Sequence, residues 1–263
     1  TYIQDPTNYH LKPARNNKWE VRMDMEWNDN RLSVDYFREK MTSGFRYSNI
    51  YEVYAYRRYD VSQMVAGVDY TTLPYEMRQV LDGYQQVTNG SELTKQGIEL
   101  SFTSQRIKCL RTRVNVTGAW FRTCYQNSQP MYESVSTVVD NQPLREKYVG
   151  LYDWNDGRQN DRLNTNVTLD TQIPEWKLIF TTSVQCMWLV RTQLMKKNGT
   201  PMAYLSSEDG ELHDYTEESA KDAYLMQLVK SYNEDSFKPF TVPMSMIVNL
   251  KVTKEIGKYM RLS

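Results

Sequence analysis

Residues 18–27 read KWEVRMDMEW, and this stretch decides the fold class. Successive side chains of a β-strand point to opposite faces of its sheet, so unbroken alternation of apolar and polar residues indicates a two-faced strand. The apolar face would hold Trp19, Val21, Met23, Met25 and Trp27, and the charged face Glu20, Arg22, Asp24 and Glu26. The stretch therefore predicts a strand that separates two very different environments.

The same design recurs along the chain. The Asn-Asp-Asn sequence at 28–30 has turn chemistry and alternation resumes over 31–36, so the first two strands should form a tight hairpin. Three further hairpins are predicted over residues 97–120, 162–188 and 246–262, with turns near 105–108, 173–175 and 257–258. The sequence thus predicts an all-β fold of about eight antiparallel strands.

The connections between these hairpins are long. They run to roughly 35 to 55 residues, whereas the median in compact soluble domains is about 4 to 6. Outer-membrane barrels, in contrast, combine short periplasmic turns with long extracellular loops. Two short helices are predicted within the loops: one over residues 74–81, with proline near its start and glycine past its end at 83, and one from Thr216 toward Lys230, capped by the threonine and the acidic residues that follow it.

Tryptophan brackets the apolar faces of the predicted strands. Trp19 and Trp27 lie at opposite ends of one strand, and Trp176 and Trp188 at opposite ends of another. On tilted strands these pairs are separated by roughly 20 and 30 Å along a barrel axis, close to the apolar band of about 25 Å with its aromatic girdles. Trp120 fits the upper girdle as well. The pattern favours a transmembrane β-barrel segment, although a soluble sandwich core also contains tryptophan.

Composition limits the function classes. Lys and Arg total 32 and so do Asp and Glu, so net charge gives no reason to expect nucleic acid as a partner. The two histidines are far apart in sequence, and the chain has no nucleophile elbow, phosphate-binding glycine loop or metal-ligand spacing. We therefore expect no enzyme, no metal and no cofactor. No apolar run approaches the roughly 18 residues of a membrane-spanning helix.

Four stretches at these strands carry a family resemblance: NRLSVDYFREK at 30–40, KQGIEL at 95–100, NTNV at 164–167 followed by Ile173-Pro174, and NLKVTKEIG at 249–257. In these stretches and in their order the chain resembles the region near the C-terminus of the TonB-dependent receptor family, in particular the starch- and glycan-uptake porins of Bacteroidetes-type bacteria. The resemblance covers the strands and not the long loops.

The resemblance implies a barrel of about 22 strands with a plug in its lumen, of which residues 1–263 would be a C-terminal part of about eight strands. It also implies residence in the Gram-negative outer membrane, a lipid bilayer around the barrel, contact with the TonB system, import of a glycan, peptide or metal chelate, and a surface lipoprotein as a possible partner. The sequence departs from the family in lacking the plug domain, a TonB-contacting segment and a terminal aromatic strand end.

Two sets of residues are candidates for contacts inside such a receptor. Charged side chains on the polar faces are expected to line the lumen and to meet the plug, because charges at that depth need partners or water. These are Glu20, Arg22, Asp24, Arg111 and Arg113. Tyrosines in the first long connection are expected to contact a sugar or peptide ligand, or else to pack that loop onto its neighbours. These are Tyr47, Tyr51, Tyr54, Tyr56 and Tyr59.

Two alternatives remain open at this point. One is a soluble all-β module that binds a partner through exposed aromatic loops. The other is a complete small barrel in which loop carboxylates such as Asp153, Asp156, Asp209 and Asp214 near His213 would activate water in an enzyme, although the abrupt end at Ser263 argues against it. Burial of Met23, Val114, Val167 and Phe180 beneath a second protein layer would overturn the lipid-facing interpretation.

Overall fold

The computed structural model describes residues 4–67, 69–153, 156–257 and 260–263. The strands are β1 Arg15–Trp27, β2 Asn30–Tyr59, β3 Tyr75–Thr103, β4 Thr112–Asn127, β5 Met131–Glu133, β6 Val138–Val139, β7 Gln142–Pro143, β8 Tyr148–Tyr152, β9 Arg158–Ile173, β10 Leu178–Leu194, β11 Ala203–Ser206, β12 Leu212–Asp214, β13 Phe240–Val242, β14 Ser245–Ile256 and β15 Met260–Leu262. A four-residue helix, α1 Leu144–Lys147, lies between β7 and β8.

The eight predicted strands lie side by side in one antiparallel sheet. Its order is β1-β2-β3-β4-β9-β10-β14-β15, and β13 pairs with residues 190–192 of β10. The all-β, antiparallel prediction is therefore confirmed. Among the described residues the sheet is open, because β1 and β15 form its two edges and do not pair with each other.

The first turn forms as its sequence predicts. Asn28 and Asp29 both adopt left-handed backbone angles, with φ of 44° and 60°. Positive φ at both central residues is the requirement of the two-residue hairpin turn whose twist matches that of the strands, and Asn and Asp tolerate it better than most residues. The turn sets the register of β1 on β2, with Trp27 opposite Asn30 and Met23 opposite Val34.

The first long connection is mostly strand, which corrects the prediction. β2 and β3 are 30 and 29 residues long, and only residues 60–74 separate them. The helix predicted over 74–81 is wrong: this segment is the start of β3, with Tyr75 opposite Tyr59 and Leu81 opposite Val53. Pairing with β2 satisfies its backbone groups, and burial of Leu81 outweighs the helix-start signal of Pro74.

From the pairing of Gly44 with Ser91 to the loop at 60–74, β2 and β3 pair with each other and are no longer flanked by β1 and β4. The last partner of β1 on β2 is Thr42, and the last partner of β4 on β3 is Ser91. Residues 44–59 and 75–91 therefore form a projecting ribbon, here called the outer hairpin, and the end of the sheet from which it rises is the outer end.

A small subdomain packs against the outer hairpin. Its sheet has the order β12-β11-β8-β5, and α1 and several short 3-10 turns surround it. The helix predicted from Thr216 toward Lys230 is wrong, because this segment forms two separate 3-10 turns, Ser219–Lys221 and Leu225–Leu228. Leu225 and Leu228 are both buried from this second turn. No helix in the described part of the chain is long and apolar enough to cross a membrane.

The two buried apolar clusters of the described residues lie in the outer hairpin and in this subdomain. One cluster contains Leu81, Val149 and Leu205, with Tyr51, Val53 and Tyr132 packed against it. A second contains Leu144, Leu225 and Leu228. The outer hairpin and the subdomain thus form one packed unit at the outer end of the sheet.

Candidate functional site

One face of the main sheet is a continuous apolar surface. The register of the strands places one residue of each strand side by side across this face. Residues that are paired on neighbouring strands point to the same side of the sheet, so these residues form a row on its surface. This apolar row consists of Met25, Leu32, Phe102, Val116, Val167, Val184 and Val248. The neighbouring rows add Met23, Val34 and Leu100 on one side, and Val114, Leu169 and Leu250 on the other.

Within the part of the chain that the structure describes, no second layer covers the sampled residues of this apolar face. Met23 is 52% exposed, Val248 is 57% exposed, and Val114, Val167 and Phe180 each keep part of their surface exposed. None of these five belongs to either buried cluster of the chain. The burial that would have overturned the lipid-facing interpretation is therefore not observed among these residues.

Tryptophans border the apolar face at its outer end. Trp120 lies in the row of Val21 and Leu163, and Trp19 lies one step further out. Trp188 is the extra residue of a bulge in β10, and its indole Nε1 donates a hydrogen bond of 2.7 Å to Thr165 Oγ1 on the same face. The three indoles therefore lie together at one end of the apolar face, each on a different strand.

Trp27 and Trp176 lie at the opposite end of the apolar face. Trp27 ends β1 and stacks on Phe102, with ring centroids 6.3 Å apart. Trp176 was expected to begin the return strand, but it belongs to the 3-10 turn Pro174–Trp176. The strand starts only at Leu178 because Lys177 takes a left-handed conformation with φ of 49°.

The opposite face of the sheet is polar and carries paired charges. Lys18 and Glu20 form an ion pair at 2.8 Å, and Arg22 pairs with Asp24 at 3.0 Å. Asp24 also accepts a hydrogen bond of 2.6 Å from the Ser33 hydroxyl. A shallow cleft of about 370 Å³ on this face is lined by Arg22, Ser33, Asp35, Glu99 and Asn166, among others.

The two arginines that were grouped together by sequence separate in the structure. Arg113 lies within β4 opposite Asp170, on the polar face. Arg111 is not a strand residue, which corrects the prediction: it precedes β4 with φ of 53° and forms an ion pair with Glu175 in the neighbouring turn. Arg111 thus joins two turns at the end of the sheet instead of pointing from a strand.

Three of the five candidate tyrosines line one cleft between the outer hairpin and the subdomain. Tyr51, Tyr54 and Tyr56 line this cleft of about 490 Å³, together with Val80, Asp82, Arg145 and Glu146. The other two lie elsewhere. Tyr47 is largely exposed, and Tyr59 packs edge-on against Tyr70 and Tyr75 near the tip of the hairpin.

Polar contacts fix the tyrosines of the cleft. The Tyr54 hydroxyl donates a hydrogen bond of 3.0 Å to Glu52, whose second oxygen accepts one from Tyr84 at 3.0 Å. Burial raises the pKa of Tyr54, and its bond to Glu52 adds to the rise although a bond from Gln4 opposes it. The Tyr51 ring lies over Gly83, where an added Cβ would come within 2.5 Å of it. The cleft combines aromatic faces with both signs of charge, a surface suited to a polar ligand.

A partly buried ion pair joins Asp156, just before β9, to the outer hairpin, and sequence reasoning missed it. Arg46 donates to both carboxylate oxygens of Asp156, one of the bonds measuring 2.9 Å, and the two side chains are only 12% and 20% exposed. The partners are 110 residues apart, so no local pattern points to the pair. The backbone N–H of Asp156 also donates to Asn127 at 2.9 Å.

Two of the loop carboxylates, Asp156 and Asp209, make separate contacts. Asp156 is engaged by Arg46, whereas Asp209 contacts His213 at 2.8 Å on the exposed surface of the subdomain. The backbone N–H of Glu211 lowers the pKa of Asp209 and His213 adds to this effect, so the carboxylate is the favoured form. In the described ranges no group of three or more His, Cys, Asp and Glu side chains is placed to hold a metal ion.

Comparison with known proteins identifies no relative. A scan against protein-family models, a search of curated proteins and a search of solved structures each give no match.

Proposed function

We propose that this chain forms part of the wall of a transmembrane β-barrel in the outer membrane of a Gram-negative bacterium, and that the barrel is a TonB-dependent importer of a nutrient. The supporting observation is the uncovered apolar row that runs across seven strands, with tryptophan at both ends of the face. The function is transport, and no enzymatic step is assigned.

The free energy of hydration supports lipid as the solvent of this face. Soluble monomers rarely expose a continuous apolar patch larger than a few hundred Å². Removing a Val, Leu or Met side chain from water is worth about 1.5–3 kcal/mol when burial is complete. Seven aligned apolar side chains and their neighbouring rows therefore strongly disfavour a fully hydrated sheet, while the backbone groups within the sheet are already paired, as a bilayer requires.

The opposite face suits a hydrated lumen. Its ion pairs and hydroxyl groups, including Glu20, Arg22, Asp24 and Arg113, remain open to water or to a polar partner. In a receptor of this family that partner would be the plug. The open edges of β1 and β15 would pair with further strands of the same barrel.

The outer subdomain would stand on the extracellular side. It carries the cleft with Tyr51, Tyr54 and Tyr56, where a glycan, a peptide or a metal chelate would first bind. A surface lipoprotein that closes over the barrel would contact this same unit. Coupling to the TonB system would supply the energy for transport through the parent protein.

Site-directed spin labels test the proposal. The three native cysteines are replaced by serine in the parent protein, and single cysteines are placed at Val116, Thr117, Asn166 and Val167 for labelling in lipid vesicles. We expect labels at 116 and 167 to collide with dissolved oxygen and labels at 117 and 166 to collide with a water-soluble nickel complex. Equal access of the nickel complex to all four labels would contradict the proposal and favour a soluble β module.

A further inference from the structure

Basic side chains border the apolar face at its outer end. Arg38 lies opposite Trp19, Lys40 lies opposite Asn17, and Arg15 lies opposite Thr42, so all three point to the side of Trp19. Across the sheet, Arg122 and Arg191 lie in the same row as Arg38 through Gln96 and Asp161. These five side chains form what is here called the basic rim: Arg15, Arg38, Lys40, Arg122 and Arg191.

The basic rim carries a surplus of positive charge. The rows of residues that contain the basic rim also contain two carboxylates. Glu92 pairs with Lys40 at 2.9 Å, and Asp161 pairs with Arg122 at 2.7 Å. Five cations therefore face two carboxylates. The side chains of Arg15, Arg38 and Lys40 are exposed and neighbour one another on β1 and β2, so the surplus is concentrated beside Trp19.

Aromatic contacts place this charge at a boundary between apolar and polar surroundings. The Arg122 guanidinium lies 5.6 Å from the centroid of the Trp120 ring, and the Trp19 ring packs against Tyr36 with centroids 5.2 Å apart. Tryptophan and tyrosine prefer the headgroup level of a bilayer, and long basic side chains extend their charged ends to the same level. The apolar face begins at the next row of residues, one step along the strands away from the outer end.

We propose that the basic rim binds the phosphate groups of an anionic lipid in the leaflet at the outer end of the sheet. Guanidinium groups match phosphate oxygens in geometry and form paired, charge-assisted hydrogen bonds with them. Clusters of basic residues next to a membrane attract anionic headgroups. The apolar face below the rim would hold the acyl chains of the same lipid. The inference rests on the proposed function, because it requires that this face meet a bilayer.

Lipid binding to the parent receptor in a neutral detergent tests this inference. The probes are lipid A, which carries two phosphates, zwitterionic phosphatidylethanolamine, and inorganic phosphate as a competitor. The test variant is Arg15→Gln/Arg38→Gln/Lys40→Gln, and the matched control, Arg58→Gln/Lys221→Gln/Lys238→Gln, removes three exposed cations from the outer hairpin and the loops. Native mass spectrometry measures the bound lipid.

We expect the wild type and the control to retain lipid A and to prefer it to phosphatidylethanolamine. One basic residue near the surface is worth about fivefold in binding, so the test variant should bind lipid A on the order of 100-fold more weakly. The variant Arg15→Lys/Arg38→Lys keeps the charge and should retain most of the binding. Its binding would show that the weaker binding of the test variant comes from the lost charge and not from misfolding.

Equal retention of lipid A by the wild type and the test variant would overturn the inference. Displacement of the lipid by millimolar inorganic phosphate would also overturn it, because the site would then be a soluble-anion site. Failure of the proposed function is distinguishable from both outcomes: spin labels at 116 and 167 would be open to the nickel complex, whatever lipid A does.

Discussion

The Trp188 indole and the Thr165 hydroxyl are joined by a hydrogen bond of 2.7 Å that crosses from β10 to β9. Thr165 is the partner of Cys186, two residues before Trp188, and the bulge between Met187 and Leu189 shifts the register between them. An extra residue in a bulge is left without a ladder partner and its direction is set by side-chain contacts. The bond to Thr165 therefore directs Trp188 onto the apolar face.

This relationship predicts energetic coupling between the two side chains. Thr165→Val removes the hydrogen bond and keeps the shape of the side chain, whereas Trp188→Phe removes the Nε1 donor together with part of the ring. A neutral hydrogen bond contributes about 0.5–1.5 kcal/mol net, so the unfolding free energies of the single and double variants in vesicles should give a coupling energy of this size. A coupling energy near zero would show that the bond does not hold Trp188.

Gly97 predicts a second effect, because it lies between two aromatic rings on the polar face. A Cβ at this position would come within 2.7 Å of the Trp120 carbonyl oxygen and within 2.9 Å of both the Phe37 and Phe121 rings. A backbone atom cannot yield as a flexible side chain can. Gly97→Ala should therefore destabilise the sheet by about 1–3 kcal/mol, as overpacking usually does.

Gly118 supplies the control for this substitution. It lies on the neighbouring strand, and an added Cβ would make only an ordinary contact of 3.5 Å with Thr165. Gly118→Ala also reduces the conformational freedom of the unfolded chain, so it should be neutral or stabilising by up to about 1 kcal/mol. Denaturant unfolding in vesicles measures both variants. Equal effects at the two positions would contradict the steric explanation.

Much of the main sheet follows from alternation alone. The hairpin at 28–30 and the pairing of β9 with β10 require only an apolar-polar period of two and turn residues that tolerate positive φ. The length of β2 and β3 did not follow, because in the outer hairpin burial comes from a subdomain that is distant in sequence. Leu81 is buried by Val149 and Leu205, and no local pattern contains that information.

The candidate site was predictable to a similar degree. The tryptophans at the ends of the apolar face could be found because tryptophan at strand ends has a local spacing, and register then aligned Trp19 with Arg38. The assembly of Tyr51, Tyr54 and Tyr56 with Arg145 depends on how the loop after β4 folds back, which sequence spacing does not encode. Arg111 was predicted to lie within a strand, but its positive φ is incompatible with an extended backbone, and β4 begins only at the next residue.

The Arg46–Asp156 ion pair predicts a third effect, on the attachment of the outer subdomain. Removal of one partner typically costs about 3–5 kcal/mol in a fully buried pair and about 0–1 kcal/mol in an exposed pair, so the loss of this partly buried pair should cost an amount between the two. Asp156→Asn should therefore loosen the segment between β8 and β9 and speed its cleavage by a protease added to intact vesicles. The control is Glu234→Gln, which breaks the ion pair with Lys196, where both side chains are more than two-thirds exposed.

Exposed ion pairs contribute little to stability, about 0–1 kcal/mol, so Glu234→Gln should leave the cleavage rate unchanged. Asp156→Asn cleaved no faster than the wild type would show that other contacts hold the segment. Asn127, which accepts a hydrogen bond from the Asp156 backbone, would then be the first such contact to remove.

Buried tyrosines of the outer subdomain predict an alkaline limit to its stability. Tyr152 is fully buried and its hydroxyl donates a hydrogen bond of 2.6 Å to the Leu228 carbonyl oxygen. Burial raises the pKa of Tyr152, and burial with a contribution from Glu133 raises the pKa of Tyr232 to about 12. An unfolded tyrosine has a pKa near 10, so the folded state holds these protons more tightly than the unfolded state.

The direction of the pH effect follows from that difference. The stabilisation by Tyr232 is fully present below about pH 10 and is lost as pH rises through about 12, because only the unfolded chain gains from ionising its tyrosines over this range. Denaturant unfolding in detergent at pH values from about 8 to about 12 measures the loss. Tyr232→Phe should reduce the slope above about pH 10. Identical slopes for the wild type and Tyr232→Phe would show that Tyr232 ionises equally readily in the folded and unfolded chains.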